Sequence, residues 1–142
     1  MVQSEQTITT VLAVDPGRDK CGLAVVRADG EVLHQRVVPA ADLTCAVAQL
    51  VEEYDVDRVL VGDRTAAKEI HRALSARVPV QIVLVDEHRS SEQGRRRYFD
   101  ENPPRGWRRL LPIGLQTPPR AYDDYVAVIL AERYLASQRR GK

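Results

Sequence analysis

Hydrophobic and polar positions change period several times along this chain, and each change marks an element. From Thr7 to Val14 the residues are rich in β-branched types and stop abruptly at Asp15-Pro16-Gly17, where Pro fixes φ and Gly accepts positive φ, so a strand ends in a turn. Cys21 to Arg27 and Val32 to Val38 are two further strand-like runs, joined through Ala28-Asp29-Gly30-Glu31, whose Asp-Gly pair favours a hairpin. Asp42 offers an N-cap, after which Leu43, Val47, Leu50, Val51 and Tyr54 recur at helical spacing. Arg58 to Val61 is a short apolar strand closed by Gly62, and Thr65 to Arg77 reads as a second helix stopped by Pro79, with Ile70, Ala73 and Leu74 facing inward. Val80 to Val85 is almost continuous Val, Ile and Leu, the pattern of a strand covered on both faces.

Ser90 with Gln93 forms a capping-box pattern for a short helix reaching about Phe99. Residues 102 to 119 then hold five of the eight prolines, which predicts a loop or lid. The last helix is expected from Asp123 to about Ser137, with Val126, Ile129, Leu130 and Tyr134 on one side and Ala127 and Ala131 allowing close packing on a sheet. Three antiparallel strands followed by two helix-linked strands predict an α/β fold: a five-stranded mixed sheet of order 3-2-1-4-5 with helices on both faces. Its first, fourth and fifth strands are expected to run parallel at the centre. Ligands of such sheets sit outside the carboxyl ends of the parallel strands. Asp15, Asp63 and the Asp86-Glu87 pair all fall at those ends.

A chain of 142 residues suits one domain, here expected to span all of 1–142. No run approaches the roughly 20 apolar residues of a membrane span, and Met1 to Thr10 lacks a leader pattern, which points to a cytoplasmic protein with no membrane partner. Cys21 and Cys45 show no metal-ligand spacing and read as core thiols. The net charge of +1 hides an asymmetry: residues 1–87 carry 9 Lys/Arg against 14 Asp/Glu, and residues 88–142 carry 12 against 6. An acidic edge beside a basic surface suits metal ions and phosphate backbones, whereas the plain alternative is a solvated surface.

Taken singly, each acid has a structural explanation. Asp15 can initiate its turn, Asp86 can cap the next segment, and Asp123 can cap the last helix, with Asp124 favouring its dipole. Gathered on one edge they repel unless a cation neutralises them, and hard oxygen ligands select Mg²⁺ or Mn²⁺ over zinc.

The segments VLAVDPGRDKCGLAVV, VDRVLVGD, VLVDEHRSSEQGRRRYF and YDDYVAVILAERYL resemble the YqgF (RuvX) group of pre-16S rRNA nucleases and Holliday-junction resolvase-like proteins, within the ribonuclease H-like superfamily. The Asp-Pro-Gly turn also resembles the first motif of the bacterial RuvC resolvases. The resemblance covers nearly the whole chain. It implies Asp15, Glu87 and Asp123 as catalytic, metal-binding acids in the hydrolysis of phosphodiesters with Mg²⁺ or Mn²⁺. Asp63, Asp86 and Asp124 are additional candidate ligands.

Three departures bear on function. Gly62-Asp63-Arg64 stands where the group usually has Gly-Leu-Pro, and Asp63 reads as a helix-start acid before it reads as a ligand. Asp86-Glu87-His88-Arg89 inserts a histidine into the group's Asp-Glu-Arg motif; His88 reads as an exposed loop residue, with a proton shuttle as the alternative. The proline-rich stretch is also longer than usual.

Binding of nucleic acid would fall to Arg18, Lys20, Arg64, Arg89, Arg95, Arg96, Arg97, Arg105, Arg108 and Arg109, because all but three of the basic residues are the Arg whose fork matches phosphate. Among the interleaved aromatics, Trp107 is the better candidate for stacking on unpaired bases, while Tyr98 and Phe99 can instead anchor the short helix in the core, Phe99 the more so. The expected substrate is RNA, through maturation of the 16S rRNA 5′ end. The alternatives are a Holliday-junction endonuclease, which would need a homodimer, and a nucleic-acid-binding module without catalysis.

Overall fold

The computed structural model describes residues 8–64, 66–112, 116, 118 and 120–140. Thr7, the expected start of the first strand, Thr65, the expected start of the second helix, and residues 113–115, 117 and 119 of the proline-rich stretch lie outside the described residues. Five strands, β1 (Thr10–Asp15), β2 (Lys20–Arg27), β3 (Val32–Pro39), β4 (Arg58–Gly62) and β5 (Gln81–Val85), form one sheet of order β3-β2-β1-β4-β5. β1 pairs antiparallel with β2 and parallel with β4, and β4 pairs parallel with β5. The predicted mixed sheet and strand order therefore stand.

Alternation along the central strands splits the core in two. Leu12 and Val14 of β1 face the same side as Leu23, Val25, Val59 and Val61, where α1 (Leu43–Glu53) and α2 (Ala67–Ser75) cover them. Val11 and Ala13 face the other side with Ala24, Val26 and Leu60, against Ala127, Leu130 and Ala131 of α4 (Asp123–Arg140). The small Ala pair lets α4 lie close to the sheet, as its sequence predicts. A third helix, α3 (Ser90–Glu101), docks on α4 through an edge-to-face cluster of Tyr98, Phe99 and Tyr125. Gly94 makes that approach possible, since a Cβ there would run into Val126.

Several sequence expectations change at this level. β5 is an edge strand rather than a covered one: Ile82 is buried, but Val83 and Val85 are half-buried and Leu84 is 40% exposed. Cys45 is exposed, on the outer side of α1, and only Cys21 is a core thiol. Asp42 makes no side-chain cap, because a short 3-10 turn over Ala40–Asp42 leads directly into α1. Ser90 and Gln93 do not form a capping box either. Arg89 takes a left-handed conformation (φ 60°) ahead of α3, and the buried Ser90 hydroxyl donates back to the Glu87 carbonyl at 2.7 Å. Within the proline-rich stretch, Gly106–Leu110 is a 3-10 helix that leaves Trp107 69% exposed. Asp123 is already the first residue of α4, and the carbonyl of Tyr122 before it accepts from the backbone N–H groups of Tyr125 and Val126.

Candidate metal centre

Asp15 is the last residue of β1 and continues the alternation of Val11 and Ala13, so its side chain points to the α4 face. Glycines flank it on both neighbouring strands. Gly22 is its partner on β2, and Gly62 follows Val61, the β4 residue opposite Val14. Each glycine leaves room that another acid uses. A Cβ on Gly22 would fall on the backbone of Asp123 and Asp124, so the missing side chain lets the start of α4 rest on the sheet beside Asp15. A Cβ on Gly62 would fall on the Glu87 carboxyl, so that gap lets Glu87 fold inward from the end of β5. The sequence marks Gly62 only as a strand end and gives Gly22 no role, although an isolated glycine within or ending a strand is the mark of a close approach.

The result is a buried acid pair. Asp15 is 4% and Glu87 7% exposed. Burial, then the carboxyl–carboxyl contact and charge of Glu87, push Asp15 up to about 8, with the Asp123 charge adding to the rise and Arg64 opposing it. Apart from a proton the two carboxyls share, Oδ1 of Asp15 and both carboxyl oxygens of Glu87 are buried with no hydrogen-bond donor among the described residues. Arg64 Nε lies 2.9 Å from Glu87 Oε2, out of line for a hydrogen bond, so the two are held by charge while the same guanidinium donates to Ser91 Oγ at 2.9 Å. Asp123 stands at the rim, half-buried and raised by burial and by Asp124, with Arg64 and Lys20 opposing.

Among the described residues no three Asp, Glu, His or Cys side chains are gathered into a ready cage. The donor chemistry still fits a hard cation. Orphaned buried carboxylate oxygens are costly, and Mg²⁺ characteristically takes one or two carboxylates and keeps its remaining ligands as waters or substrate phosphate.

The remaining acids are occupied elsewhere. Asp124 is buried and accepts from Gln35 Nε2 at 2.9 Å and from Arg120, whose guanidinium lies over the rings of Tyr98 and Tyr125. Its carboxylate locks α4 to β3, a structural task its neighbour Asp123 does not share. Asp86 is exposed and accepts the His88 backbone N–H at 2.9 Å, which closes the turn after β5. Asp63 and His88 are exposed.

The basic candidates also divide. Arg97 is tied to Glu132 by two bonds of 2.8 and 2.9 Å and to Glu101, an α3–α4 clamp. Arg89 pairs with Glu92. Tyr98 is buried in the aromatic cluster and offers no face for stacking. Arg64 reaches the acid pair and Lys20 acts on Asp123 at its rim, whereas Arg18, Arg96, Arg105, Trp107, Arg108 and Arg109 are exposed and Arg95 is half-buried. Gln116, outside the residues singled out by sequence, is buried and holds the 3-10 segment by donating to the carbonyls of Arg108 and Leu111.

Among the described residues no helix is long and apolar enough to cross a membrane. No curated protein sequence matches the chain. Among solved structures, it is similar to T. thermophilus RuvC in complex with a Holliday junction substrate, at 16% identity and TM-score 0.66 over 94% of this chain and 96% of that one. A second Thermus thermophilus RuvC structure is similar at 18% identity and TM-score 0.57, over 94% and 97%. At these identities the likeness is one of fold, ribonuclease H-like. The family model described as the Tex protein YqgF-like domain matches residues 9–98, which include Asp15, Gly22, Gly62 and Glu87 but stop short of Asp123. With that span covering more than half of its length, the chain belongs to the YqgF-like domain family.

Proposed function

We propose that this protein is a divalent-metal-dependent nuclease that hydrolyses phosphodiester bonds of nucleic acid, RNA before DNA, with the whole chain acting as one cytoplasmic nuclease domain. The observation that carries the reading is the Asp15–Glu87 pair: two carboxyls driven together below the surface, three of their oxygens with no donor from any other group among the described residues, at the carboxyl end of the central strand. Structural acids are arranged the opposite way, as Asp124 is, with its neighbours donating to it.

Asp15 and Glu87 would hold Mg²⁺ or Mn²⁺, with Asp123 completing the set from the rim. Such a cation supplies a water of lowered pKa and stabilises charge on phosphate oxygens. The protein's own part is positioning. Asp15 would have to give up its proton to hold a cation, because beside Glu87 its carboxyl is raised to about 8. Gly62 keeps Glu87 inward, Ser90 fixes the backbone carrying it, and Arg64 balances its charge and stands ready for a phosphate oxygen. Arg18, Lys20 and the exposed arginines around Trp107 would carry the remainder of the strand.

A second reading, cleavage of four-way DNA junctions by a homodimer, is favoured by the likeness in fold to RuvC, which was solved with such a substrate. One panel separates the readings: RNA, single-stranded DNA, duplex DNA and a four-way junction, each with Mg²⁺ or Mn²⁺, for the wild type and Asp15→Asn. RNA cleavage lost in the variant supports the leading proposal, and junction-selective cleavage by a dimer supports the second. Binding without cleavage of any substrate would leave a nucleic-acid-binding module, and cutting that persists in Asp15→Asn would refute the assignment of the site.

A further inference from the structure

A cleft of about 630 Å³ opens on the side of the sheet edge opposite the acid pair, between the turn after β1 and the starts of α1 and α2. That volume is in the range of small-molecule sites. Its walls are apolar, from Pro16, Ala40, Leu43 and Ile70, and two arginines, Arg18 and Arg64, line it as well. Among the described residues no carboxylate lines it. Arg64 is common to the two places, since it lines the cleft and lies 2.9 Å from Glu87. Apolar walls beside paired positive charge, within one arginine's reach of the acids, complement one chemical object: an aromatic base attached to a phosphate.

We propose that this cleft takes the base of one unstacked nucleotide bordering the bond to be cut, with its phosphate held between Arg18 and Arg64. The assignment deepens the nuclease reading and rests on it for the word "cut"; binding itself does not depend on catalysis. Pro16, Ala40, Leu43 and Ile70 supply an apolar wall against which a base gains by desolvation. Arg64, at the place where the family usually has Pro, reaches from the nucleotide to Glu87 and so links occupancy of the cleft to the charge balance of the acid pair. A duplex with every base stacked cannot place a base there, which makes the cleft a selector for unpaired nucleotides.

The test is done in EDTA, where no cleavage takes place. Adenosine 5′-monophosphate and ribose 5-phosphate are titrated into full-length protein carrying labelled methyl groups. The nucleotide should shift the methyls of Leu43 and Ile70 and bind about tenfold more tightly than the base-less sugar phosphate. Ala66→Trp, which fills the cleft from an exposed lining position, should weaken the nucleotide by about tenfold and leave ribose 5-phosphate nearly unchanged. Ala40→Trp fills it from the other side and serves if the first variant does not fold. Equal affinity for the two ligands, shifts away from Leu43 and Ile70, or undiminished nucleotide binding in a folded Trp variant would overturn the proposal. Nucleotide binding with the expected pattern in a protein that cuts nothing would keep the cleft and remove the nuclease; cleavage by a protein that binds the two ligands equally would do the reverse.

Discussion

Replacing Asp15 by asparagine removes an ionisable group from a buried pair while keeping its shape, and the consequence for stability is set by pH. In the native state the Asp15 carboxyl titrates near 8, against 3.8 when unperturbed. Between these values the unfolded chain has lost a proton that the folded chain retains, so in the absence of a cation stability falls as pH rises through that window and levels off above it. Each tenfold change in proton affinity is worth about 1.4 kcal/mol. From pH 4.5 to 7.5 the wild type therefore loses up to about 4 kcal/mol relative to Asp15→Asn, and roughly 2–4 kcal/mol once relaxation around the pair is allowed for. Urea unfolding in EDTA across that range measures it. Asp15→Asn should gain steadily on the wild type with rising pH, overtaking it near neutrality. A stability difference independent of pH would refute the reasoning, because it would mean that Asp15 is charged in the fold at all these values.

Four further outcomes are expected. Saturating Mn²⁺ should stabilise the wild type by about 3 kcal/mol at a hundredfold excess over Kd, more at pH 8 than at pH 5, and calorimetric unfolding should show this gain lost in Glu87→Gln. Gly22→Ala should cost about 1–3 kcal/mol in urea unfolding, since a methyl there meets the backbone at the start of α4, whereas Gly62→Ala should act on Glu87 and weaken Mn²⁺ binding. Asp124→Ala should destabilise the fold by about 1–3 kcal/mol, because it leaves Gln35 without its acceptor and Arg120 without its partner, and any loss of activity should follow the unfolded fraction. Trp107→Ala should leave thermal stability unchanged and weaken single-strand binding by about 1–3 kcal/mol, measured by fluorescence anisotropy.

Periodicity was enough to read the strand order and the close-packed last helix, because each strand's alternation and the Ala127/Ala131 pair report directly on burial. It misread β5, since an unbroken apolar run looks the same at a sheet's centre and at an edge where one face is only partly covered. Single acids were least legible. Asp123 and Asp124 are adjacent and identical in type, yet helical geometry turns one to the rim of the site and the other into a bond with Gln35 on a strand 89 residues away. Nothing local in the sequence distinguishes them. Glu87 and Asp86 divide in the same way, one inward past Gly62 and one outward onto the His88 amide. What determines these fates is the pair of gaps at Gly22 and Gly62, a long-range feature that becomes readable once the strand register places both glycines beside Asp15.

The location of Mn²⁺ in a crystal soaked at saturating concentration near pH 8 tests the central claim most directly. Anomalous scattering should show an ion bridging Asp15 and Glu87, with Asp123 turned toward it and Arg64 displaced from Glu87. Full occupancy elsewhere, with no ion at the Asp15–Glu87 pair and Arg64 still in place, would contradict the account.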